Sequence, residues 1–364
     1  MFWGNPSSIL NTIFSNLRFF IPFTKRLGYI GWLGHGNLGD EGMYVAFKKL
    51  FSGYNVLPFK HSEKIIYFEN LLKQKAFNAV CLGGGTFINA DAIKQFKIAQ
   101  ENYSPTFVFG AGAMDPALWG TVEHRPTVFS KASEWIECLN KCHYVGVRGP
   151  LSKQILEDNG FNKAEIIGDL ILSLSSDAIV RKQRKKKLGI NIGVAGGYMW
   201  GSEEGVLDFI VELAKIMLEK KWQITFYPVI SSDINYIKKA VRRIGGFTAI
   251  FDEYRSIAKT MHSLQGCDLF IGEKLHSTAL AMCAHTPSIM LEYKPKCLDF
   301  MLSMEMEKFN IRTDRLSVNM AIDLAEELYS NLEKYQNKIA QKANQYRQLQ
   351  KEKADVLSKI ICQK

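Results

Sequence analysis

The chain has 364 residues, 47% hydrophobic and 23% charged, a composition that suits a folded protein long enough for two domains with separate cores. Net charge is +10, but six of the positive charges stand in one run, Arg181–Lys187. Basic residues are not spread over a face with interleaved aromatics, which argues against a nucleic-acid-binding protein.

In chain order, residues 1–24 form an aromatic arm, uncharged up to Arg18 and interrupted by Asn and Ser. It lacks the basic start and long apolar centre of a signal peptide, and no segment is apolar enough to span a membrane. Packing on the first domain is favoured over lying flat on a bilayer. Strands are expected at Leu27–Trp32, Asn78–Gly85, Thr106–Gly112, Tyr144–Gly149 and Glu165–Asp169, separated by helices such as Glu41–Phe51 and Pro150–Gly160. After the basic run the rhythm restarts, with strands at Gly189–Ala195, Gln223–Val229, Thr248–Asp252, Leu269–Glu273 and Ser288–Tyr293.

Continuous apolar strands alternating with helices imply parallel sheets covered on both faces. The expected fold class is α/β: two Rossmann-like domains, residues 25–180 and 188–318, joined by a charged linker at Ser175–Lys187. Residues 319–364, free of Gly and Pro, make a long helical tail that crosses back onto the first domain. The seven cysteines (Cys81, Cys138, Cys142, Cys267, Cys283, Cys297 and Cys362) are odd in number and scattered, as in reduced cytoplasmic proteins. Cys138, Cys142 and His143 have no second ligand pair nearby, so no zinc site is expected.

In such sheets ligands gather at the carboxyl ends of the strands, and four stretches fall there. GWLGHGNLGDEG (Gly31–Gly42) lacks the Gly-Lys-Ser/Thr of a P-loop. Asp40 and Glu41 in its first helical turn would repel a pyrophosphate and suit sugar hydroxyls better. The plain alternative is that Asp40 caps the helix. CLGGGTFIN (Cys81–Asn89) offers Gly84 and Gly85 for a tight turn or close approach, with Thr86 and Asn89 as neutral hydrogen-bonding groups. In VGVRGPLS, Arg148 stands between a strand and a helix. It could clamp an anion bidentately or make an interdomain salt bridge. Lys274 and His276 open a further helix, and Tyr293, Lys294 and Lys296 follow the next strand to the same edge. Lys274, His276 and Lys296 should therefore converge with unpaired helix N–H groups around a phosphate-bearing anion. His285 reads as a core histidine.

The ordered set GNLGDEG, GGGTFIN, VRGPLS, EKLHS and EYKPK resembles the polysaccharide pyruvyl transferase family, over roughly Gly28–Met301. That resemblance implies a GT-B-like fold and transfer of the enolpyruvyl carbons of phosphoenolpyruvate onto two hydroxyls of a cell-surface polysaccharide or its precursor. The products are a cyclic pyruvate ketal and phosphate. It places Arg148, Lys274 and His276 on the donor. Two departures stand out: Lys274 where many members carry Arg, and Gly149 where many carry an acid. The expected site has His276 and Asp40 as catalytic groups, with Arg148, Lys274, Lys296, Glu41, Asn37, Gly84, Gly85, Thr86 and Ser277 binding substrate. No metal or cofactor is expected; phosphoenolpyruvate is the donor substrate. Expected partners are this donor and a sugar or oligosaccharide acceptor. The expected location is cytoplasmic. A lipid-linked acceptor would give the aromatic arm and the basic run a purpose at the inner membrane.

The main rival is a GT-B glycosyltransferase using a nucleotide-sugar. Glu292 and Asp299 are seven positions apart rather than the eight of many retaining members, and there is no Asp-x-Asp motif. A second rival is a non-catalytic glycan- or anion-binding protein.

Overall fold

A computed structural model describes residues 24–89, 91–114, 132–176, 185–196 and 199–363. The aromatic arm, except Thr24, and most of the basic run lie outside the described residues.

The first lobe contains β1 (Arg26–Ile30), α1 (Leu38–Leu50), β2 (Asn55–Pro58), α2 (Glu63–Leu72), β3 (Ala79–Leu82), β4 (Gly85–Ile88), α3 (Ile93–Asn102), β5 (Thr106–Ala113), α4 (Ala132–Asn140), β6 (Tyr144–Val147), α5 (Pro150–Asp158) and β7 (Glu165–Ile166). The strands lie in the order β2-β1-β3-β5-β6-β7, with β4 added to the end of β5, and all pairs are parallel. A 3-10 turn, Leu170–Leu174, follows β7.

The second lobe contains β8 (Lys187–Asn191), α6 (Glu203–Glu219), β9 (Gln223–Phe226), α7 (Asp233–Ile244), β10 (Thr248–Ile250), α8 (Ile257–Gln265), β11 (Leu269–Gly272), α9 (Leu275–Cys283), β12 (Ser288–Glu292), α10 (Pro295–Ser303) and β13 (Asn310–Arg312). Its sheet, β10-β9-β8-β11-β12-β13, is also wholly parallel. Helices α11 (Val318–Ser330) and α12 (Leu332–Cys362) close the chain.

The all-parallel sheets follow from the apolar runs. Strands β1, β3, β5, β11 and β12 are buried along their whole length, which requires cover on both faces. The three strands that sequence reading missed are short. β2 ends in Pro58 and β13 has three residues; both are edge strands, where pattern is weakest. β4 begins at the third glycine of the GGG turn, where the chain re-enters the sheet instead of passing directly to a helix.

The lobes meet along the 3-10 turn and α9. Cys283 Sγ contacts the Ile171 carbonyl, and Ser175 Oγ lies 3.2 Å from the Cys283 carbonyl and 3.1 Å from His285 Nε2. His285 is thus a core residue. Helix α12 runs back onto the first lobe. Tyr54 Oη donates to the Ser358 carbonyl, and Lys353 pairs with Glu165 at 2.7 Å. In its middle, buried Gln350 donates to the carbonyls of Ile167 (2.8 Å) and Asp169 (3.0 Å) and accepts from Ser173 Oγ. No helix among the described residues is long and apolar enough to cross a membrane. All seven cysteines are free thiols.

Gln350 satisfies groups at the root of the cleft that no other side chain reaches. Gln350→Leu is expected to lower the unfolding free energy by about 1–3 kcal/mol, the cost of stranding the Ile167 carbonyl and the Ser173 hydroxyl while the Asp169 carbonyl keeps Leu172 N, as measured by urea denaturation.

Candidate active site

Between the lobes, at the carboxyl ends of both sheets, lies a cleft of about 380 Å³. That position follows from the topology: every strand of a parallel sheet delivers its next turn to the same edge.

The second lobe contributes positive charge. β11 ends at Gly272, and the chain turns through Glu273 and Lys274 into α9, which His276 enters at its second residue. β12 ends at Glu292, and Tyr293 and Lys294 lead to α10, with Pro295 and Lys296 in its first turn. Neither helix has a side-chain cap, nor has α7, which begins beside the same cleft at Ser232. The N–H groups at the starts of α9 and α10 suit an anion, whereas those of Asp233 and Ile234 in α7 already bond the Ile230 and Ser231 carbonyls. The ammonium groups of Lys274, Lys294 and Lys296 lie 5.3, 5.4 and 5.1 Å from the ring centre of Tyr293, so three cations crowd one buried aromatic wall.

The first lobe contributes mainly neutral and acidic groups: Asn37, Asp40, Gly85, Thr86 and Asn89 line the cleft. The capping role considered for Asp40 falls to Asn37, whose Oδ1 accepts from Gly39 N at 3.0 Å. Asp40 is therefore free to face the cleft. Burial pushes its carboxyl up to about 7 against the pull of Lys296, with Asp169 and Glu41 adding to the rise.

Arg148 also lines the cleft, and it has two faces. Its Nε donates to Asp299 Oδ2 of α10 at 3.2 Å in a pair almost wholly buried, so the interdomain salt bridge exists. Its Nη2 has no hydrogen-bond partner and is left for a ligand. The salt bridge and an unpartnered Nη2 thus stand on one guanidinium.

His276 stands at the junction. Its ring rests on α1 so closely that a Cβ at Gly39 would lie 2.0 Å from Nδ1. Its Nε2 has no hydrogen-bond partner and points at Asp169 Oδ2, 4.0 Å away and likewise unpartnered. Burial, then the Lys296 and Arg148 charges, push the imidazole down to about 3, so it is neutral in the empty cleft. Burial raises Asp169 while Arg148 opposes the rise.

Behind Lys274 stands a supporting layer. Its backbone N donates to Asn191 Oδ1 and its ammonium reaches the Val194 carbonyl. Glu273, the end of the expected strand Leu269–Glu273, does not enter the cleft lining. Its Oε2 accepts from Gly193 N at 2.8 Å, and burial raises its carboxyl to about 7. Beside it, Asp233 Oδ2 accepts from the Val229 and Ile230 amides. These carboxylates hold the β8 loop that gives Lys274 its carbonyl partner.

Of the expected site residues, the structure brings together Asn37, Asp40, Gly85, Thr86, Arg148, Lys274, His276 and Lys296. Three stand outside the lining and are corrected here. Ser277 faces inward, donating to Asn191 Oδ1 and the Lys274 carbonyl, because the third residue after Lys274 points back to the sheet. Gly84 packs under Met43 and donates to Tyr29 Oη. Glu41 turns to the loop before α1, where Oε1 accepts from Gly34 N at 2.7 Å. Sequence reading brought Tyr293 to this edge without giving it a role, and it missed Asp169. Asp169 carried a usable signal, as a carboxylate just past the last strand of the first sheet. Among the described residues, no group of three or more His, Cys, Asp or Glu is arranged to hold a metal ion.

Two expectations follow. Asp40 titrates higher folded than its ordinary value of 3.8, so its ionised form opposes folding, fully above about pH 7 and progressively less as pH falls toward 4. Asp40→Asn should raise stability at pH 8 by on the order of 2 kcal/mol, with no gain near pH 4, in calorimetric scans across pH. Gly39→Ala should destabilise by about 1–3 kcal/mol in wild type but by at least about 1 kcal/mol less in a His276→Ala background, in a double-mutant cycle.

No curated protein sequence matches the chain significantly. Among solved structures it is similar in fold to a glycosyltransferase from Rickettsia africae ESF-5 (TM-score 0.57, 11% identity, covering 93% of this chain and 99% of that one). It is similar also to Phytolacca americana UGT2 complexed with UDP-2fluoro-glucose and pterostilbene (0.56, 12%, 92% and 99%) and to S. aureus MnaA with UDP (0.56, 9%, 89% and 92%). These likenesses establish a GT-B-like architecture of two Rossmann-like domains. The polysaccharide pyruvyl transferase family model matches residues 37–295, from the Asn37 cap to the first residue of α10. That span takes in both walls of the cleft, and the chain belongs to the polysaccharide pyruvyl transferase family.

Proposed function

We propose that the chain transfers the pyruvyl group of phosphoenolpyruvate onto two hydroxyls of one sugar in a polysaccharide or its precursor, forming a cyclic ketal and releasing phosphate. The observation that carries this reading is the convergence of Lys274, Lys296, the unpartnered Nη2 of Arg148 and two uncapped helix N-termini on His276. Such a cradle suits a small donor with a carboxylate and a phosphate on one carbon.

Protonation of the donor's methylene carbon makes the adjacent carbon electrophilic. One sugar hydroxyl adds there and loses its proton. The carbon–oxygen bond to phosphate then breaks, and the second hydroxyl adds to close the ketal. In balance, one hydroxyl proton ends on the new methyl group and the other on the phosphate. Two proton carriers on opposite walls fit this count. Asp40, held near 7, receives hydroxyl protons, and His276 delivers a proton on the donor side. Lys274, Lys296 and Arg148 stabilise the charge that gathers on the departing phosphate. Lys274 binds as a point charge where many members have a planar guanidinium, leaving bidentate contact to Arg148 alone.

The test is phosphate release from phosphoenolpyruvate in the presence of glycan acceptors, with the ketal methyl group followed by NMR. Acceptor-dependent release is expected, with His276→Ala reducing kcat about 10²–10⁴-fold while phosphoenolpyruvate still raises the melting temperature. Stabilisation by UDP alone, with no release, would favour a nucleotide-sugar glycosyltransferase instead.

A further inference from the structure

Trp32 follows β1 on the first-lobe lip of the cleft, and it takes no part in the chemistry above. It is 44% exposed, one of the few large apolar side chains that are, and it lines the cleft. One face of its indole is covered by His35, with ring centres 4.6 Å apart and planes 17° apart. The loop carrying both is built rather than slack. Leu33 N donates to the Gly31 carbonyl, Gly34 N to Glu41 Oε1, and Asn37 caps the helix that follows. Glu41 is thus a positioning residue for this loop. On the same wall Thr86 lines the cleft with a hydroxyl that is buried and without a hydrogen-bond partner.

We infer that Trp32 is the acceptor platform: a pyranose ring stacks its apolar C–H face on the free side of the indole, with its hydroxyls turned toward Thr86 Oγ1 and Asp40. A flat aromatic beside an unsatisfied hydroxyl and a carboxylate is the pairing that a sugar needs, because one face of a pyranose is apolar and its rim is polar. The inference rests on the pyruvyl-transfer reading, for it assigns the acceptor half of that cleft. It also gives the acceptor a wall of its own, opposite the cations that suit the donor. His35 stiffens the platform from behind, so little side-chain freedom is lost on binding.

The test has two arms. In steady-state kinetics with phosphoenolpyruvate and an oligosaccharide acceptor, Trp32→Ala should raise the acceptor KM at least about tenfold and leave the phosphoenolpyruvate KM within about twofold, with Trp32→Phe recovering most of the loss. In the second arm, binding of methyl galactoside, methyl glucoside and methyl N-acetylglucosaminide is followed by saturation-transfer NMR without donor. Ring-proton contacts present in wild type and lost in Trp32→Ala are expected. An unchanged acceptor KM, equal glycoside binding by both proteins, no glycoside binding by wild type, or Trp32-dependent binding of uridine in place of the glycosides would each overturn the platform. A wild type that binds the glycosides through Trp32 yet releases no phosphate would sink the proposed reaction and leave the platform standing.

Discussion

The carboxylate of Asp299 joins the two lobes, and the geometry of the cleft depends on it. Asp299 belongs to α10 of the second lobe, yet it caps the first helical turn of α5 in the first, accepting from Leu151 N (2.9 Å), Ser152 N (3.2 Å) and Ser152 Oγ (2.6 Å). It also accepts from Arg148 Nε. A buried ion pair contributes little net stability by itself, but here both carboxylate oxygens of Asp299 are hydrogen-bonded and the charge sits on a helix N-terminus, where it is favoured. The approach requires a residue without a side chain: a Cβ at Gly149 would fall 2.3 Å from both the Asp299 carbonyl and Oδ1. The glycine that departs from the family's acidic pattern is therefore matched to an acid supplied from the other lobe. With one edge of the guanidinium committed to Asp299, Arg148 has only the other to offer a ligand, and its orientation is set before any ligand arrives.

That preorganisation leaves the charged groups of the cleft desolvated. Lys296 is held below its ordinary value by burial and by the neighbouring Arg148 and Lys274 charges, partly offset by Cys297 and Asp40. Across the cleft, burial raises Asp40 and Asp169. Groups desolvated in this way cost folding free energy, and a dianionic ligand placed among the cations would recover part of it as binding energy. The supporting carboxylates obey the same logic at one remove. Glu273 and Asp233 tolerate burial because backbone amides of the β8 loop and the β9–α7 turn satisfy one oxygen of each.

Much of this was legible in the sequence because parallel strands leave long apolar runs and every run ends at the same edge. The two-lobed fold, the strand ends and the meeting of Lys274, His276 and Lys296 follow from that rule alone. Three kinds of information did not. Periodicity does not show which way a side chain turns within a tight turn, so Ser277 and Glu41 were given to the substrate although one supports Asn191 and the other the Trp32 loop. Contacts between residues far apart in sequence leave no local mark: Arg148 and Asp299 are 151 positions apart, and Glu292 drew notice only for its spacing to Asp299. The length of a short strand is the third: the expected strand Glu165–Asp169 is only two residues long, so Asp169 lies past its end, in the turn that faces His276.

The same electrostatics order the proposed reaction in time. His276 is neutral, because burial and the Lys296 and Arg148 charges disfavour a third cation. The phosphate and carboxylate of a bound donor would offset those charges, and the imidazole would then gain a proton it otherwise lacks. Its Nε2 faces Asp169, whose free oxygen can hold the resulting imidazolium, while Nδ1 is pinned over Gly39 so that the ring cannot swing away. In the proposed reaction the acid would thereby be assembled by the molecule that it protonates. Asp40, on the acceptor wall, already titrates near neutrality and needs no such help to exchange protons. The donor would therefore bind and charge His276 before an acceptor hydroxyl can be used, and once the methylene carbon is protonated, water would compete with that hydroxyl for the adjacent carbon unless it is excluded. An aromatic platform at the lip, covered by a sugar ring, is a physical means of doing that.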